Sequence, residues 1–312
     1  MLTNKKIAVG NRLGFIGLGH LGSPIARRLL EAGFPMIVYD LDHTKTAEFA
    51  TRGAEVARDP GKLATDANVV LSCLPDELSV EDAYMGTGNV LRSARPGTRI
   101  MELSTISPEA ARHLHRAALQ FGLSPLDVAV SGSTPAAEAG ALTLFGGGEH
   151  EVFESAEPVF SAIAKQWFYM GPSGSGVAMK LVVNTLLGVG MQAIAEAVAL
   201  GSRLDLPRDL LFDTLAKTAV VAPAHSGKLA TAKRHDYAPQ FPLRLMRKDF
   251  GLILAAAEQL GLSMPATKAA AAINAEEAAA GSEQDFSAVI QRMEETAEAG
   301  AVPTDGFVIQ SI

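Results

Sequence analysis

The fold can be predicted from the segment Leu13-Gly-Phe-Ile-Gly17-Leu-Gly19-His-Leu-Gly22. A short apolar strand pattern leads into Gly17, Gly19 and Gly22, which have the G-x-G-x-x-G spacing. The first glycine permits a tight turn, the second lets a pyrophosphate approach the backbone, and the third lets the helix pack against the strand. The phosphate then binds at the helix N-terminus, where free N–H groups and the helix dipole favour negative charge. The stretch therefore predicts a dinucleotide-binding site.

The residues that follow complete a βαβ unit. A helical pattern at 25–30 ends at Gly33 and is followed by a strand pattern at 36–40, an order that predicts a parallel sheet. Asp40 ends the second strand, 18 residues after Gly22, at the place where a carboxylate can bind a ribose hydroxyl. The alternative is that Asp40 caps the next helix, a role that Asp42 would fill equally well.

Asp40 also bears on the choice of cofactor. A carboxylate at this place repels a 2′-phosphate, whereas an arginine would attract one, so we expect NAD rather than NADP. His43 and Lys45 follow closely and leave some room for a phosphate. An NADP preference therefore stays open as the less favoured alternative.

Further along the chain, strand patterns give way to helical ones. Strands are predicted at 69–74, 100–103, 126–130, 141–145 and 167–169. A helix is predicted at 108–119, with Ser107 as its N-cap and Pro108 at its first position. After Gly176 the patterns are helical, at 176–204, 209–217, 250–260, 264–280 and 286–298. The predicted fold class is α/β, with a Rossmann-type parallel-sheet domain at 1–175 followed by an all-helical domain at 176–312 built around its long first helix.

Composition excludes several kinds of function. With 312 residues, 48% of them hydrophobic, the chain is long enough for two domains with apolar cores. A net charge of −7 argues against nucleic acid as a partner. The single cysteine, Cys73, excludes an internal disulfide and fits a reducing, cytoplasmic environment. No His, Cys or carboxylate cluster has metal-ligand spacing, so no metal is expected.

A second distinctive segment runs from Gly171 to Asn184. A glycine-rich turn opens into an apolar run that carries Lys180 and Asn184, whose spacing of four residues puts both on one helix face. A lysine among apolar side chains is desolvated, which lowers its pKa and prepares it for proton transfer. The alternative is a helix-end lysine that extends its ammonium into water. The apolar run 181–200 is long enough to span a bilayer, but its polar residues favour a buried helix over a membrane span.

With these motifs in view, the chain resembles the β-hydroxyacid dehydrogenase family, which includes 3-hydroxyisobutyrate dehydrogenase, tartronate semialdehyde reductase and, more distantly, 6-phosphogluconate dehydrogenase. The resemblance runs from about residue 13 to about residue 300. Four motifs carry it in the family's order, namely 15–22 with Leu21 where methionine is usual, Asp127-Val-Ala-Val-Ser131-Gly132-Ser133, Gly171 to Asn184, and Lys248-Asp249. Smaller matches are Cys73-Leu-Pro75 and Ser104-Thr-Ile-Ser-Pro108.

The resemblance implies a role for each matching residue. Lys180 would be the catalytic acid and base, and Asn184 would bind substrate and position Lys180. Ser131, Gly132 and Ser133 would form the pocket for the substrate carboxylate. The residues implied to bind the cofactor are Gly17, Leu18, Gly19, His20, Leu21, Gly22, Asp40, Leu74, Pro75, Thr105 and Lys248. For Lys248, an exposed helix-surface charge is the alternative.

The chain also departs from the family's pattern. Ser133 stands where a second glycine is usual, and Thr185 stands where a second asparagine is common. Val183 occupies the position of the histidine found in 6-phosphogluconate dehydrogenases, and the chain lacks the length for their extra helical region. These departures argue against a sugar-phosphate substrate.

The resulting hypothesis is an NAD-dependent oxidoreductase that acts on a small anionic 3-hydroxy acid, such as 3-hydroxyisobutyrate, or on its semialdehyde. An NADP-preferring semialdehyde or imine reductase on the same fold is the nearest alternative, although imine reductases often replace the lysine. A non-catalytic NAD-binding interaction module is the alternative of another class. Since the helical half is rich in apolar residues, we expect a homodimer or homotetramer, with no nucleic-acid or membrane partner.

Overall fold

The computed structural model of the protein describes residues 6–281 and 283–299. Contacts divide the chain into two compact units, Met1–Asn184 and Thr185–Ile312. The division falls inside the long helix, beyond the boundary that the sequence places between residues 175 and 176. The outermost parts of the two predicted domains, residues 1–5 and 300–312, lie outside the described residues.

The first unit is built on one eight-stranded sheet. Its strands are β1 (Leu13–Ile16), β2 (Met36–Tyr39), β3 (Glu55–Val56), β4 (Val69–Ser72), β5 (Arg99–Glu102), β6 (Ser124–Ser131), β7 (Leu142–Gly148) and β8 (Ala164–Gly171). Their order across the sheet is β3-β2-β1-β4-β5-β6-β7-β8. Strands β1 to β6 pair in parallel, which confirms the predicted Rossmann-type fold. Strand β7 runs antiparallel to β6 and parallel to β8, so the sheet as a whole is mixed.

The strands form where short apolar runs are buried on both faces of the sheet. Every residue of β1 and of β4 is buried, as expected for central parallel strands covered by helices on both sides. The sheet order reverses between β1 and β4, and both strands end at the same edge. Open parallel sheets of this kind bind their ligands at such a reversal point.

In the described part of the first unit, nine helices connect these strands. They are α1 (Gly22–Glu31), α2 (His43–Thr51), α3 (Pro60–Asp66), α4 (Glu77–Met85), α5 (Val90–Ser93), α6 (Pro108–Gln120), α7 (Thr134–Glu138), α8 (His150–Ser155) and α9 (Glu157–Ile163). Helix α6 begins as predicted, because the Ser107 hydroxyl accepts a hydrogen bond from the N–H of Ala110 at 3.1 Å. Two apolar cores lie on the two sides of the sheet, one under α1, α7, α8 and α9 and the other under α3 to α6.

The long predicted helix is present as α10 (Ser175–Arg203) and contributes residues to both units. Among the described residues it is the one helix whose length and composition would allow it to cross a membrane, and 44% of its most apolar window is buried. A core helix of a globular protein can have the same length and composition. It begins in the first unit, where it carries Lys180 and Asn184.

The second unit is helical, as predicted. It contains α11 (Arg208–Leu215), α12 (Pro223–Ala232), α13 (Leu243–Gln259), α14 (Pro265–Gly281), a short 3-10 helix (Phe286–Ala288) and α15 (Val289–Ala299). A buried ion pair lies at its centre, with Lys228 Nζ 2.6 Å from Asp285 Oδ2. The same carboxylate oxygen accepts hydrogen bonds from the N–H groups of Gln240 and Phe241, so it connects α12 to the segment that leads into α13.

Candidate active site

The glycine turn after β1 has one open position between two crowded ones. Gly17 has φ of +93°, and a Cβ there would lie 2.4 Å from the carbonyl oxygen of Cys73. A Cβ on Gly22 would lie 2.0 Å from the carbonyl oxygen of Gly17. A Cβ on Gly19 would meet no atom within 4 Å. The chain itself therefore requires the first and third glycines, while the second faces a space that a pyrophosphate can occupy.

Helix α1 begins directly after this turn. Leu21 is its N-cap and its side chain accepts no hydrogen bond from the first turn. His20 is exposed beside it, and Leu18 is buried. A helix start that no side chain caps suits a bound phosphate, because its N–H groups and dipole favour negative charge.

Asp40 reaches back from the end of β2 to the same turn. Its Oδ2 accepts a hydrogen bond from the N–H of Leu18 at 2.6 Å, and its Oδ1 accepts one from the N–H of Asp42 at 2.8 Å. Asp42 is the N-cap of α2 and accepts from the N–H of Thr44 at 3.0 Å. The capping role thus belongs to Asp42. Lys45 lies 3.7 Å from Asp40 and 3.8 Å from Asp42, so the cation left open as a phosphate ligand is paired with carboxylates.

The loops after β4 and β5 carry Leu74, Pro75 and Thr105 at the same edge of the sheet. The N–H of Leu74 donates a hydrogen bond to the hydroxyl of Ser104 at 2.7 Å, which joins the two loops. Leu74 and Thr105 are half-buried and Pro75 is exposed. These three predicted cofactor residues therefore lie on neighbouring loops beside the glycine turn.

Glu102 holds these loops through hydrogen bonds at the ends of β4 and β5, a role that was not predicted from the sequence. It is 2% exposed, accepts a hydrogen bond from the N–H of Ser104 at 2.8 Å and accepts another from the Ser72 hydroxyl. Tyr84 in turn lies 2.6 Å from the Ser72 oxygen, and burial followed by the Glu102 charge raises the pKa of Tyr84 well above its ordinary value. In the sequence, the feature that could have indicated this role is an acidic residue inside the apolar run 100–103.

Asp127 holds the start of α10 in position through hydrogen bonds, and this role was also not predicted from the sequence. Its Oδ1 accepts a hydrogen bond from the N–H of Gly174 at 2.8 Å, and its Oδ2 accepts one from the N–H of Val177 at 3.1 Å. Burial raises the pKa of Asp127, although the N–H donors act in the opposite direction. The helix also packs closely on the sheet, since a Cβ on Gly176 would lie 2.4 Å from the carbonyl oxygen of Phe145.

The end of β6 carries the three predicted carboxylate-binding residues. Ser131 is the last residue of the strand, and Gly132 follows with φ of +144°. A Cβ on Gly132 would lie 2.7 Å from Leu142 Cδ2, so only glycine fits there without a shift. Ser133 is the N-cap of α7, but its side chain makes no capping hydrogen bond. Two hydroxyls and one backbone turn thus lie together past the carboxyl end of the strand.

Lys180 and Asn184 lie one turn apart on α10. They follow Gly174, whose N–H donates to Asp127, by six and ten residues, which is within two and three helical turns. Lys180 is 8% exposed and Asn184 is fully buried. Such burial disfavours the interpretation of Lys180 as a solvated surface residue. Both residues belong to the same compact unit as the glycine turn and Ser131.

Lys248 lies on α13, in the second unit. Its ammonium is 3.0 Å from Asp249 Oδ1, and its side chain is about one-quarter exposed. A freely solvated charge on the helix surface, the alternative weighed from the sequence, does not describe this residue. Among residues 6–281 and 283–299, no group of three or more His, Cys, Asp or Glu side chains is placed to hold a metal ion.

Comparison with known proteins matches both units. The sequence profile for the NAD-binding domain of 6-phosphogluconate dehydrogenase matches residues 12–171. The profile for the NAD-binding region of NADP-dependent 3-hydroxyisobutyrate dehydrogenase matches residues 174–293. The NAD-dependent L-serine dehydrogenase of Pseudomonas aeruginosa is 38% identical over 81% of this chain and 88% of its own length. The chain belongs to the β-hydroxyacid dehydrogenase family.

Two further relatives extend the similarity over most of the chain. The 2-(hydroxymethyl)glutarate dehydrogenase of Eubacterium barkeri is 34% identical over 91% of this chain and 95% of its own. A solved structure of the Mycobacterium tuberculosis 3-hydroxyisobutyrate dehydrogenase with L-serine superposes with a TM-score of 0.80, at 32% identity, over 91% of this chain and 99% of that one. This β-hydroxyacid dehydrogenase is therefore an NAD(P)-dependent oxidoreductase that acts on a CH–OH group.

The geometry of the glycine turn fits the cofactor of this dehydrogenase. The open space at Gly19 and the uncapped start of α1 suit a pyrophosphate, and Asp40 lies beside the same turn, which agrees with the role predicted for it in ribose binding. The Asp40 carboxylate and its pairing with Lys45 favour a ribose without a 2′-phosphate. NAD is thus the better fit of the two cofactors.

Proposed function

We propose that the protein catalyses reversible hydride transfer between NAD and a small 3-hydroxy acid or its semialdehyde, with Lys180 as the acid and base. One observation carries the proposal. Lys180 and Asn184 are buried on successive turns of α10, and the start of that helix is held by Asp127 on β6, the strand that ends at Ser131. The strand and the helix thereby connect Lys180 and the turn after Ser131 within one unit, which supports the roles proposed for them.

Lys180 would move the proton that accompanies the redox step. The nicotinamide supplies the hydride chemistry when NAD is bound, and the chain contributes binding, orientation and electrostatics. In oxidation, the neutral Lys180 amine takes the proton of the substrate hydroxyl. In reduction, the Lys180 ammonium donates a proton to the carbonyl oxygen. Asn184, one turn further along the same helix, would hold the substrate oxygen and orient Lys180.

The turn after β6 would bind the substrate carboxylate. The hydroxyl of Ser131, the N–H of Gly132 and the hydroxyl of Ser133 are hydrogen-bond donors, and none of them adds a negative charge. Ser133, which replaces a second glycine, adds a hydroxyl that a pocket with glycine lacks. A 3-hydroxy acid places its carboxylate two carbons from the reacting carbon, as both L-serine and 3-hydroxyisobutyrate do. This substrate class also agrees with the names of the relatives.

The fingerprint residues 17–22, with Asp40, would hold the adenosine and pyrophosphate of NAD. Leu74, Pro75 and Thr105 would line the nicotinamide side, and Lys248 would reach the cofactor from the helical domain. We retain 1–175 and 176–312 as the proposed cofactor-binding and helical domains. We propose that the protein is a soluble enzyme of the cytoplasm.

We also propose that the protein is a homodimer or homotetramer. Several large apolar side chains of α10 are exposed, among them Val182 at 58%, Leu186 at 72% and Leu200 at 61%. Burial of such side chains in a subunit interface would remove apolar area from water. Light scattering after size-exclusion chromatography tests this, and a monomer at micromolar concentration would contradict it.

The proposed chemistry is tested by the Lys180→Ala variant. Positioned proton transfer typically contributes about 10² to 10⁴ in rate, so we expect kcat to fall by about that factor while NAD affinity stays within about twofold. Lys165→Ala is the matched control, because Lys165 is an exposed lysine on β8. Turnover is measured with L-serine, 3-hydroxyisobutyrate and several semialdehydes, using NAD and NADP, and NAD binding is measured separately by fluorescence titration.

The same experiment separates the alternatives. Full activity in Lys180→Ala would remove that residue from the mechanism. Reduction of cyclic imines in preference to every hydroxy acid or semialdehyde would favour an imine reductase. NAD binding with no turnover of any of these compounds would favour the non-catalytic module.

A further inference from the structure

The first unit contains a cavity that the proposed chemistry does not use. Its volume is about 360 Å³, within the range of small-molecule sites. It lies between α6, the junction of β7 with α8, the end of β8 and the turn before α10. The residues that line it are Arg112, His115, Arg116, Gly148, Glu149, Tyr169, Pro172 and Ser173.

Two cations face this cavity from α6. Arg112 and Arg116 are four residues apart and therefore lie on one face of the helix. Both are exposed, and in the part of the chain that the structure describes no carboxylate lies within ion-pair distance of either guanidinium. Arginine pairs of this kind suit oxyanions, because each guanidinium can donate two parallel hydrogen bonds to phosphate or carboxylate oxygens.

Two buried polar atoms on the cavity wall have no hydrogen-bond partner. They are Nδ1 of His115 on α6 and Oγ of Ser173 in the turn before α10. Most buried polar groups in folded proteins are hydrogen-bonded, and an unsatisfied one calls for a ligand or water. Burial lowers the pKa of His115, so its ring is neutral near pH 7 and offers one donor and one acceptor.

The cavity is separate from the proposed active site. Gly148 pairs with Leu126 on β6, and Ser131 lies five residues further along that strand. At about 3.3 Å per residue, the two positions are on the order of 16 Å apart. The glycine turn of the cofactor site lies further away still in the sheet, because β4 and β5 stand between β1 and β6.

We propose that this cavity binds a small metabolite through an oxyanion group, either a phosphate or a carboxylate. Arg112 and Arg116 bind the oxyanion, while His115 and Ser173, whose polar atoms are buried, complete its hydrogen bonds. Glu149 also lines the cavity and reduces the net charge of its ionised side chains to +1. Its carboxylate accepts a hydrogen bond from a hydroxyl or amino group of the same ligand. Tyr169 and Pro172 provide the apolar surface for its carbon skeleton.

The site lies against the turn from which α10 starts. A Cβ on Gly174 would lie 3.0 Å from Arg112 Nη1, and the N–H of that glycine is the one held by Asp127. A ligand that orders Arg112 therefore contacts the segment that sets the position of α10. The proposal does not depend on the identity of the hydroxy acid, because it concerns a different cavity.

The test is calorimetric titration of the full chain, saturated with NAD, with inorganic phosphate and separately with citrate, at ionic strength matched by chloride. We expect at least one of the two anions to bind the wild type. The double variant Arg112→Gln/Arg116→Gln is expected to bind that anion at least about tenfold more weakly, since both guanidiniums donate to it. Arg95→Gln, which removes an exposed arginine outside the cavity, is the matched control and should bind as the wild type does.

The two anions also separate the possible ligand sources, since phosphate alone would indicate a phosphorylated metabolite and citrate alone a carboxylate. Ser173→Ala provides a second variant that leaves the charge unchanged, and it should weaken the same anion. Equal binding by the wild type and the double variant, binding of neither anion, or displacement of the anion by NAD would overturn the proposal. Thermal unfolding of each variant confirms that it is folded before titration.

Discussion

Asp127 accepts a hydrogen bond from the backbone N–H of Gly174 at 2.8 Å, and this contact joins strand β6 to the turn that starts helix α10. The second oxygen of the same carboxylate accepts from Val177, inside the first turn of the helix. Ser131 follows Asp127 by four residues, and Lys180 follows Val177 by three. The two halves of the proposed catalytic site are thus both positioned from one buried carboxylate.

Replacement of this carboxylate should destabilise the protein. Asp127→Ala leaves the N–H groups of Gly174 and Val177 buried without an acceptor, and each such group costs about 1–3 kcal/mol. We expect the free energy of unfolding to fall by at least about 2 kcal/mol in urea titrations, together with a fall in kcat. Asp127→Asn keeps one carbonyl oxygen and should lose less. Equal stability of wild type and Asp127→Ala would show that the contact contributes little.

The pH dependence of stability should report the same residue. Burial raises the pKa of Asp127 in the folded protein above the ordinary value of 3.8, so the folded state binds this proton more tightly than the unfolded state. The stabilisation that comes from this tighter proton binding is therefore complete below pH 3.8, and it is lost as the pH rises through the folded-state pKa of Asp127. Asparagine does not titrate. The stability advantage of wild type over Asp127→Asn should shrink with rising pH across this window in urea titrations, and an advantage that grows there would contradict the shift.

The glycine turn predicts opposite outcomes for two alanine substitutions. Gly22→Ala places a Cβ 2.0 Å from the Gly17 carbonyl oxygen and should reduce stability or prevent folding. Gly19→Ala meets no atom of the chain and should fold normally, yet its methyl group occupies the space in front of α1. We expect its NAD dissociation constant to rise about tenfold or more, a change of about 1.4 kcal/mol.

Gly227→Ala on α12 is the control for this pair. A Cβ at this position also meets no atom within 4 Å, and the residue lies in the other unit. It should match wild type in NAD binding. Unfolding curves and fluorescence titrations of the three variants provide the measurements. Normal NAD binding by a folded Gly19→Ala variant would argue that the cofactor does not approach this turn.

Cofactor preference should depend on Asp40. Asp40→Asn removes the charge that repels a 2′-phosphate and the pairing of Lys45 with residue 40 at 3.7 Å, while the amide oxygen can still accept from the N–H of Leu18. The ratio of kcat/KM for NAD to that for NADP should fall by about tenfold or more. Steady-state kinetics with both cofactors measure this ratio. An unchanged ratio would mean that another residue sets the preference.

The sequence predicted most of the sheet because its central strands are short, continuous apolar runs between glycines and helical patterns. It did not show β3, whose two residues are exposed and pair with β2. Nor did it show the direction of β7. That direction depends on how the short segment from Gly132 to Ala141 returns the chain, and alternation of side chains is the same in both directions.

In the helical half, the missed element was α12. Its first turns contain Pro223, Ser226 and Gly227, residues that are common in loops, and its stability comes from tertiary contacts such as the Lys228–Asp285 pair. Helix α13 begins at Leu243, seven residues before the prediction, because the charges of Arg244, Arg247 and Lys248 conceal its apolar face.

For the candidate site, the motifs led to residues whose type reveals their chemistry, such as Lys180 and the three fingerprint glycines. They did not reveal Glu102 or the capping role of Asp127. Both are buried acids with hydrogen-bond donors distant in sequence, the Ser72 hydroxyl for Glu102 and the N–H groups of two residues at the start of α10 for Asp127. Such pairings exist only after the chain has folded. Their only trace in the sequence is a charge inside an apolar run.

The attachment of α10 to β6 has a consequence for how this chain can change length. One residue inserted between Val177 and Lys180 would rotate the lysine by about 100° around the helix axis and move it by about 1.5 Å along that axis. One residue inserted between Asp127 and Ser131 would turn every later side chain of β6 to the opposite face of the sheet. Variation by substitution is thus open to this dehydrogenase in both segments, whereas insertions and deletions there would separate Lys180 from the turn beside which we propose that it acts.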